Sequence, residues 1–60
     1  MYSQELYELM ESEYKKRGAS NNASQIMSRE NHLKFMLQLR SEEEVKDMII
    51  NDFDAYHFFR

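Results

Sequence analysis

The sequence contains no cysteine and no proline, and its only glycine is Gly18. Without cysteine the chain cannot form disulfides, bind a metal through thiolates or use a cysteine nucleophile. Without proline and further glycine it lacks the strongest signals for turns between strands, which favours helices. A glycine-rich phosphate loop is impossible with one glycine, and no Gly-x-Ser-x-Gly motif is present. The sequence therefore predicts an all-α protein.

Long apolar runs are also absent. No stretch approaches the roughly 20 residues that cross a membrane, and residues 1–5 lack the basic and apolar regions of a secretory signal. The net charge of −3 opposes a general affinity for phosphate backbones or anionic lipid. We therefore expect a cytoplasmic protein that binds no membrane and does not favour nucleic acid as a partner.

The composition nevertheless predicts a folded chain. Hydrophobic residues make up 42% of the sequence, including four tyrosines and four phenylalanines, which is too much for a disordered tail. A domain of 60 residues buries only about 60% of the surface that its unfolded chain exposes, so a monomer would be marginally stable. Because disulfides are excluded, tight helix packing and self-association are the remaining sources of stability.

The first predicted helix spans residues 3–17. Its apolar residues fall on one side when successive residues are placed about 100° apart; they are Tyr2, Leu6, Leu9, Met10 and Tyr14, with Tyr7 at the margin. Glutamates near the start and the basic run 15–17 at the end complement the helix dipole. Gly18 is well placed as the residue just after the C-cap.

Two further helices are predicted over residues 23–40 and 42–59. Asn22 and Gln25 can form a capping box for the first of them, although Ser28 is an alternative start. Ser41 and Glu44 form a clearer capping box for the last helix. The apolar positions of that helix are Val45, Met48, Ile49, Phe53, Tyr56 and Phe59.

One continuous helix across Ser41 is the alternative to this division. The apolar face of the second helix comprises Ile26, Leu33, Met36 and Leu37. If the helix continued, that face would extend onto Arg40, Glu43 and Glu44, so the apolar pattern breaks where the capping box begins. We therefore predict a three-helix domain that includes the whole of residues 1–60.

Four apolar residues lie away from these main faces: Phe35, Leu39, Ile50 and Phe58. They could complete a core from a second side, or be isolated exposed side chains of an ordinary kind. We favour a second apolar patch, which in a soluble protein marks a protein interface. A symmetric homodimer with Phe35 and Phe58 as anchors would bury the patch and stabilise the short chain.

The two histidines, His32 and His57, are the residues that titrate near neutral pH. Asp54 and His57 are three residues apart on one helix and could bind a divalent ion weakly, but a catalytic metal normally takes three protein ligands. The acidic run 42–44 and the basic run 15–17 are explained by the helix dipole. We predict neither a metal site nor a cofactor.

A helix-turn-helix arrangement is the main alternative. It places a turn near Ser28 and a recognition helix from Arg29, with Arg29, Asn31, His32 and Lys34 toward the DNA groove. The proposed turn contains no glycine, and the acidic balance opposes phosphate contacts.

The sequence as a whole favours a small, non-enzymatic regulatory or inhibitory protein that acts by protein–protein interaction. The regulatory or inhibitory function is inferred by analogy with small bacterial and phage proteins that occlude a larger target. A nucleic-acid-binding regulator using the second helix is the alternative function, and a metal-dependent enzyme is a remote third.

Overall fold

Every regular element in the computed structural model is a helix; the structure describes residues 4–58. The helices are α1 (Gln4–Lys16), α2 (Ala23–Leu39), α3 (Glu42–Asn51) and α4 (Phe53–His57). The predicted all-α class is confirmed, but the third predicted helix is divided in two. Tyr2 and Phe59, both assigned to apolar faces, lie outside the described residues. Within residues 4–58, no helix has the length and apolarity that crossing a membrane requires.

The end of α1 is fixed by Gly18, as predicted. Gly18 has a φ of 76°, a left-handed conformation that costs glycine little. Its N–H donates to the Lys15 carbonyl at 3.0 Å, and the Ala19 N–H donates to the Tyr14 carbonyl at 3.1 Å. These two bonds form a Schellman motif, which satisfies carbonyls that the end of a helix leaves unpaired.

The start of α2 lies at Ala23, and the alternative start at Ser28 is wrong. The Asn22 side chain accepts a hydrogen bond from the Gln25 N–H at 2.9 Å and so caps the helix. The helix then runs without interruption through Ser28 to Leu39. The turn that a helix-turn-helix arrangement requires near Ser28 is therefore not formed.

The boundary between α2 and α3 is the predicted capping box. The Ser41 side chain accepts from the Glu44 N–H at 3.2 Å, and the Glu44 carboxylate accepts from the Ser41 N–H at 3.2 Å. Arg40 and Ser41 both have extended backbone conformations, so the continuous helix is excluded. The first turn of α3 carries the three glutamates 42–44, where the helix dipole favours negative charge.

The break between α3 and α4 corrects the predicted helix 42–59. Asp52 leaves the helical conformation, with φ −150° and ψ 60°. Asn51 and Asp52 are weak helix formers, because their side chains compete for backbone hydrogen bonds. Contacts of the following segment with α1, such as the Tyr14–Phe53 ring pair at 5.0 Å, favour the bend. Tertiary packing therefore ends a helix that the apolar pattern alone would continue.

The core draws apolar side chains from all four helices. Its buried members are Leu6, Met10, Tyr14, Leu33, Met36, Val45, Ile49, Phe53 and Tyr56. Each belongs to one of the predicted apolar faces. The buried residue that the apolar pattern did not predict is Arg29.

Candidate functional site

The four predicted interface residues are all exposed. The exposed fraction is 43% for Phe35, 53% for Leu39, 53% for Ile50 and 69% for Phe58. They therefore do not complete the core from a second side. Met27 is a fifth large apolar residue on the surface, with 64% of it exposed. Met27 was not among the predicted interface residues, although it too lies away from the Leu33 face of α2.

A series of ring contacts connects the two predicted anchors, Phe35 and Phe58. In order, the rings are Phe35, His32, Tyr56, Phe53, His57 and Phe58, with successive centroids 6.4, 5.0, 5.6, 6.0 and 4.6 Å apart. Such pairs add to the stability gained from burial. The series links α2 to α4 and joins two of the four predicted interface residues. Leu39 and Ile50 carry no ring and are not members of it.

A groove lies where the end of α1, the first half of α2 and α4 meet. Its volume is about 540 Å³, and it lies between parts of the chain that are distant in sequence. Among the residues that line it are Tyr14, Arg17, Arg29, His32, His57 and Phe58. Both histidines of the chain therefore line one groove, together with a predicted interface residue, Phe58. Only the folded chain brings these residues together.

Arg29 forms a buried network beside this groove. Only 6% of the residue is exposed. Its guanidinium donates to the Glu11 carboxylate at 3.2 Å and to the Ser20 carbonyl, and lies 4.9 Å from the centroid of the Tyr14 ring. The other Glu11 carboxylate oxygen is buried without a hydrogen-bond partner. Arg29 therefore ties α2 to α1 and to the α1–α2 loop, and is not displayed for base contacts as the helix-turn-helix alternative requires.

Each histidine has a specific hydrogen-bond partner on another element. The His32 Nε2–H donates to the Tyr56 carbonyl at 2.8 Å, because a carbonyl oxygen can only accept. A hydrogen bond of 3.1 Å joins the His57 Nδ1 and the Tyr14 hydroxyl. These partners were not predicted, since they are 24 and 43 residues away along the chain. Neither bond pairs a histidine with a carboxylate.

The two tyrosines beside the groove are held in their neutral form. Burial raises the pKa of the Tyr14 hydroxyl, and the Glu11 carboxylate adds to this, against an opposing effect of Arg29. Burial also raises the pKa of Tyr56 well above its usual range, with smaller contributions from Tyr14 and Glu11. The Tyr56 hydroxyl donates to the Met10 sulfur at 3.2 Å. Both side chains therefore act as hydrogen-bonding members of the core at neutral pH.

The Asp54–His57 pair considered for a metal has other partners. Asp54 forms an exposed ion pair with Arg17 at 3.5 Å, while His57 bonds to Tyr14. Across residues 4–58, no cluster of three or more histidine, aspartate or glutamate side chains is close enough to hold a metal ion.

Comparison of the chain with protein-family models, with curated proteins and with solved structures finds no match. The function must therefore be inferred from the exposed apolar residues, the charge distribution and the groove.

Proposed function

We propose that the chain is a small, non-enzymatic regulatory or inhibitory protein that acts by protein–protein interaction. The observation that carries this proposal is the exposure of large apolar side chains on a domain whose core is already filled. Two of them, Phe35 and Phe58, are aromatic and terminate the series of ring contacts. Exposed aromatic and methionine side chains are enriched in the centres of protein interfaces.

The charge around these residues indicates the kind of target. Between residues 41 and 58 the chain has six acidic residues and one lysine. Ile50 and Phe58 belong to this acidic segment. A partner with a basic rim around an apolar groove would complement it, and such complementarity contributes specificity and association rate. Proteins that normally bind nucleic acid are one class with such surfaces.

The hydrogen bonds of the titratable side chains support a non-enzymatic role. Within residues 4–58, the hydrogen bonds of His32 and His57 go to a carbonyl and a phenol, whereas the general base of a catalytic triad is oriented by a carboxylate. Tyr14 and Tyr56 are protonated at neutral pH, as tyrosines ordinarily are, and burial raises the pKa of both further. We also propose a cytoplasmic location, which the cysteine-free composition fits.

The self-association predicted from the sequence is part of this proposal. Full burial of an exposed phenylalanine side chain contributes about 1.5–3 kcal/mol. Phe35 is 43% and Phe58 69% exposed, so an isolated chain forgoes the corresponding part of that energy at each position. A homodimer through the exposed apolar residues of α2, α3 and the α4 end would use that energy to stabilise a short domain.

The proposed function is tested by quantitative capture from host lysate. The bait proteins are the wild-type chain, Phe58→Asp and the matched control Ala55→Asp, which places the same charge at an exposed position of α4. We expect a target that the wild type and Ala55→Asp retain and that Phe58→Asp loses, because Phe58 is proposed to anchor the dimer that presents the other exposed apolar residues to the target. A set of captured proteins that is identical for all three baits would contradict the proposal. Salt-sensitive binding of the wild type to random duplex DNA would favour the nucleic-acid alternative instead.

A further inference from the structure

The groove between α1, α2 and α4 has the dimensions of a small-molecule site. Its volume of about 540 Å³ falls within the roughly 300–1,000 Å³ typical of ligand pockets. Its lining is aromatic in part, with Tyr14, Phe53 and Phe58. A planar apolar group could therefore pack against rings in this groove.

The charged groups of the groove favour an anion, in contrast to the net charge of the chain. Arg17, Arg29 and both histidines line it, together with the carboxylate of Asp54. The charge of Arg29 is balanced by the Glu11 carboxylate beside the groove, so the positive charge open to a ligand belongs to Arg17 and to the histidines when they are protonated. The chain as a whole carries a net charge of −3. Cationic and potentially cationic side chains are thus concentrated at one place on an acidic protein, and this place is also concave.

Arg17 is the cation that can reach a ligand. Its side chain is 49% exposed, and its guanidinium lies 4.6 Å from the centroid of the Phe53 ring. Its ion pair with Asp54 at 3.5 Å is solvent-exposed, and such pairs are weak. A guanidinium has five N–H donors, so Arg17 retains donors for an anion while it stays on Phe53. Arg29, by contrast, is committed to Glu11 and Ser20.

His32 lines the groove and gains a hydrogen-bond donor when its ring is protonated. Its Nε2–H is used by the Tyr56 carbonyl, so in the neutral ring Nδ1 has a lone pair and can only accept. An anion offers no hydrogen and cannot bond to that lone pair. Once His32 is protonated, Nδ1 becomes a donor. The charged and titratable groups that line the groove with His32 are Tyr14, Arg17, Arg29, Asp54 and His57.

We infer that this groove binds a small organic anion that carries a planar apolar group, through Arg17 and the aromatic lining, and that His32 takes up a proton when the anion binds. The inference goes beyond the proposed protein–protein function. The two share Phe58, but Arg17 and His32, whose substitutions test the inference, are not residues of the proposed interface.

The test is isothermal titration calorimetry with benzoate as the probe. We expect saturable binding that is tighter at about pH 6 than at about pH 8, since histidines titrate between these values. Titrations in two buffers with different ionisation enthalpies should show net proton uptake at about pH 7. Benzamide, which lacks the charge, and inorganic phosphate, which lacks the ring, should each bind at least about tenfold more weakly. Equal binding of benzoate and benzamide, or no saturable binding of benzoate, would overturn the inference.

Single substitutions distinguish the role of Arg17 in binding the anion from the role of His32 in taking up a proton. Arg17→Gln should weaken benzoate binding by about tenfold or more at both pH values, because a charge-assisted hydrogen bond is lost. Arg40→Gln, which removes an exposed arginine outside the groove, should leave the affinity unchanged. His32→Gln keeps an N–H for the Tyr56 carbonyl but cannot titrate, so the proton uptake should disappear. Uptake that persists in His32→Gln would refute the assignment to His32.

A second measurement uses the wild-type protein alone. The His32 ring protons are followed by nuclear magnetic resonance during a pH titration, with and without benzoate. We expect the midpoint of the His32 titration to move to higher pH when benzoate is present. An unchanged midpoint would overturn the proton linkage even if the His32→Gln variant failed to fold.

Discussion

At the scale of single residues, Arg29 joins α2 to α1 and to the loop that follows α1. A buried cation is tolerated only when it is paired and hydrogen-bonded, and Arg29 meets this requirement through Glu11 and the Ser20 carbonyl. The pair matters for stability mainly because removal of the Arg29 side chain would leave the Glu11 carboxylate as an unpaired charge. The Glu11 oxygen that already lacks a hydrogen-bond partner makes the carboxylate especially dependent on Arg29.

Replacement of Arg29 by methionine should therefore destabilise the domain strongly. Breaking a buried ion pair typically costs about 3–5 kcal/mol, and partial exposure of Glu11 places our expectation at the lower end. Urea unfolding measures the loss. Lys15→Met, which also replaces a cationic side chain by methionine but at an exposed position of α1, should alter stability by no more than about 0.5 kcal/mol. Equal stability of Arg29→Met and the wild type would mean that the network does not hold α1 and α2 together.

The raised pKa of Tyr56 predicts how the stability of the fold changes at high pH. Its pKa is raised by burial, so the folded protein holds this proton more tightly than the unfolded chain, in which tyrosine titrates near about pH 10. The resulting stability is complete below that pH and is lost as the pH rises toward the folded-state pKa. We expect the free energy of unfolding to fall above about pH 10, and to fall less steeply in Tyr56→Phe. Urea titrations at increasing pH give both slopes; parallel curves for the two proteins would contradict this account.

At the scale of helices, the sequence was sufficient to predict a helix end where that end is determined by neighbouring residues alone. Gly18 and the Ser41–Glu44 capping box were predicted from the sequence because a positive φ and a reciprocal cap need only neighbouring residues. The break at Asp52 was missed. A single helix would place the apolar residues before and after it on one face, so the apolar pattern contains no signal of the bend, and contacts of α4 with α1 decide it.

The capping box gives a prediction about α3. Ser41→Ala removes the acceptor for the Glu44 N–H and should lower the free energy of unfolding by about 0.5–2 kcal/mol. Ser28→Ala is the matched control, because Ser28 lies within α2, where alanine is the better helix former and should be neutral or slightly stabilising. Thermal or urea unfolding of the two variants distinguishes a cap from a general effect of losing a hydroxyl. No loss in Ser41→Ala would mean that the cap contributes nothing to stability.

At the scale of the whole molecule, the sequence predicted which apolar residues enter the core better than it predicted the groove. The core members lie on periodic helix faces, which a helical projection reveals. The groove combines residues that no local pattern relates, such as Tyr14 with His57. The burial of Arg29 was missed for the same reason, since Glu11 and Ser20 reach it only after α1 and α2 have packed.

The size of the molecule limits its stability as a single chain. About 60 residues bury a smaller fraction of their surface than larger domains do, and a core of this size supplies only a few kcal/mol of net stability. Large apolar side chains remain exposed on α2, α3 and at the end of α4. Association through those side chains would add burial without any change in the core.

We therefore expect the protein to be a homodimer whose melting temperature rises with protein concentration, because dimerisation linked to folding follows mass action. Phe35→Asp or Phe58→Asp should abolish that dependence and give a folded monomer of 7.3 kDa by sedimentation equilibrium. Asn31→Asp, a similar change of charge at an exposed position of α2, should remain dimeric. Leu6→Asp or Met10→Asp should instead unfold the chain, since both side chains are buried in the core. A wild-type monomer at high concentration, with a melting temperature unchanged on dilution, would exclude the dimer and leave the exposed aromatics as a binding surface for a different protein.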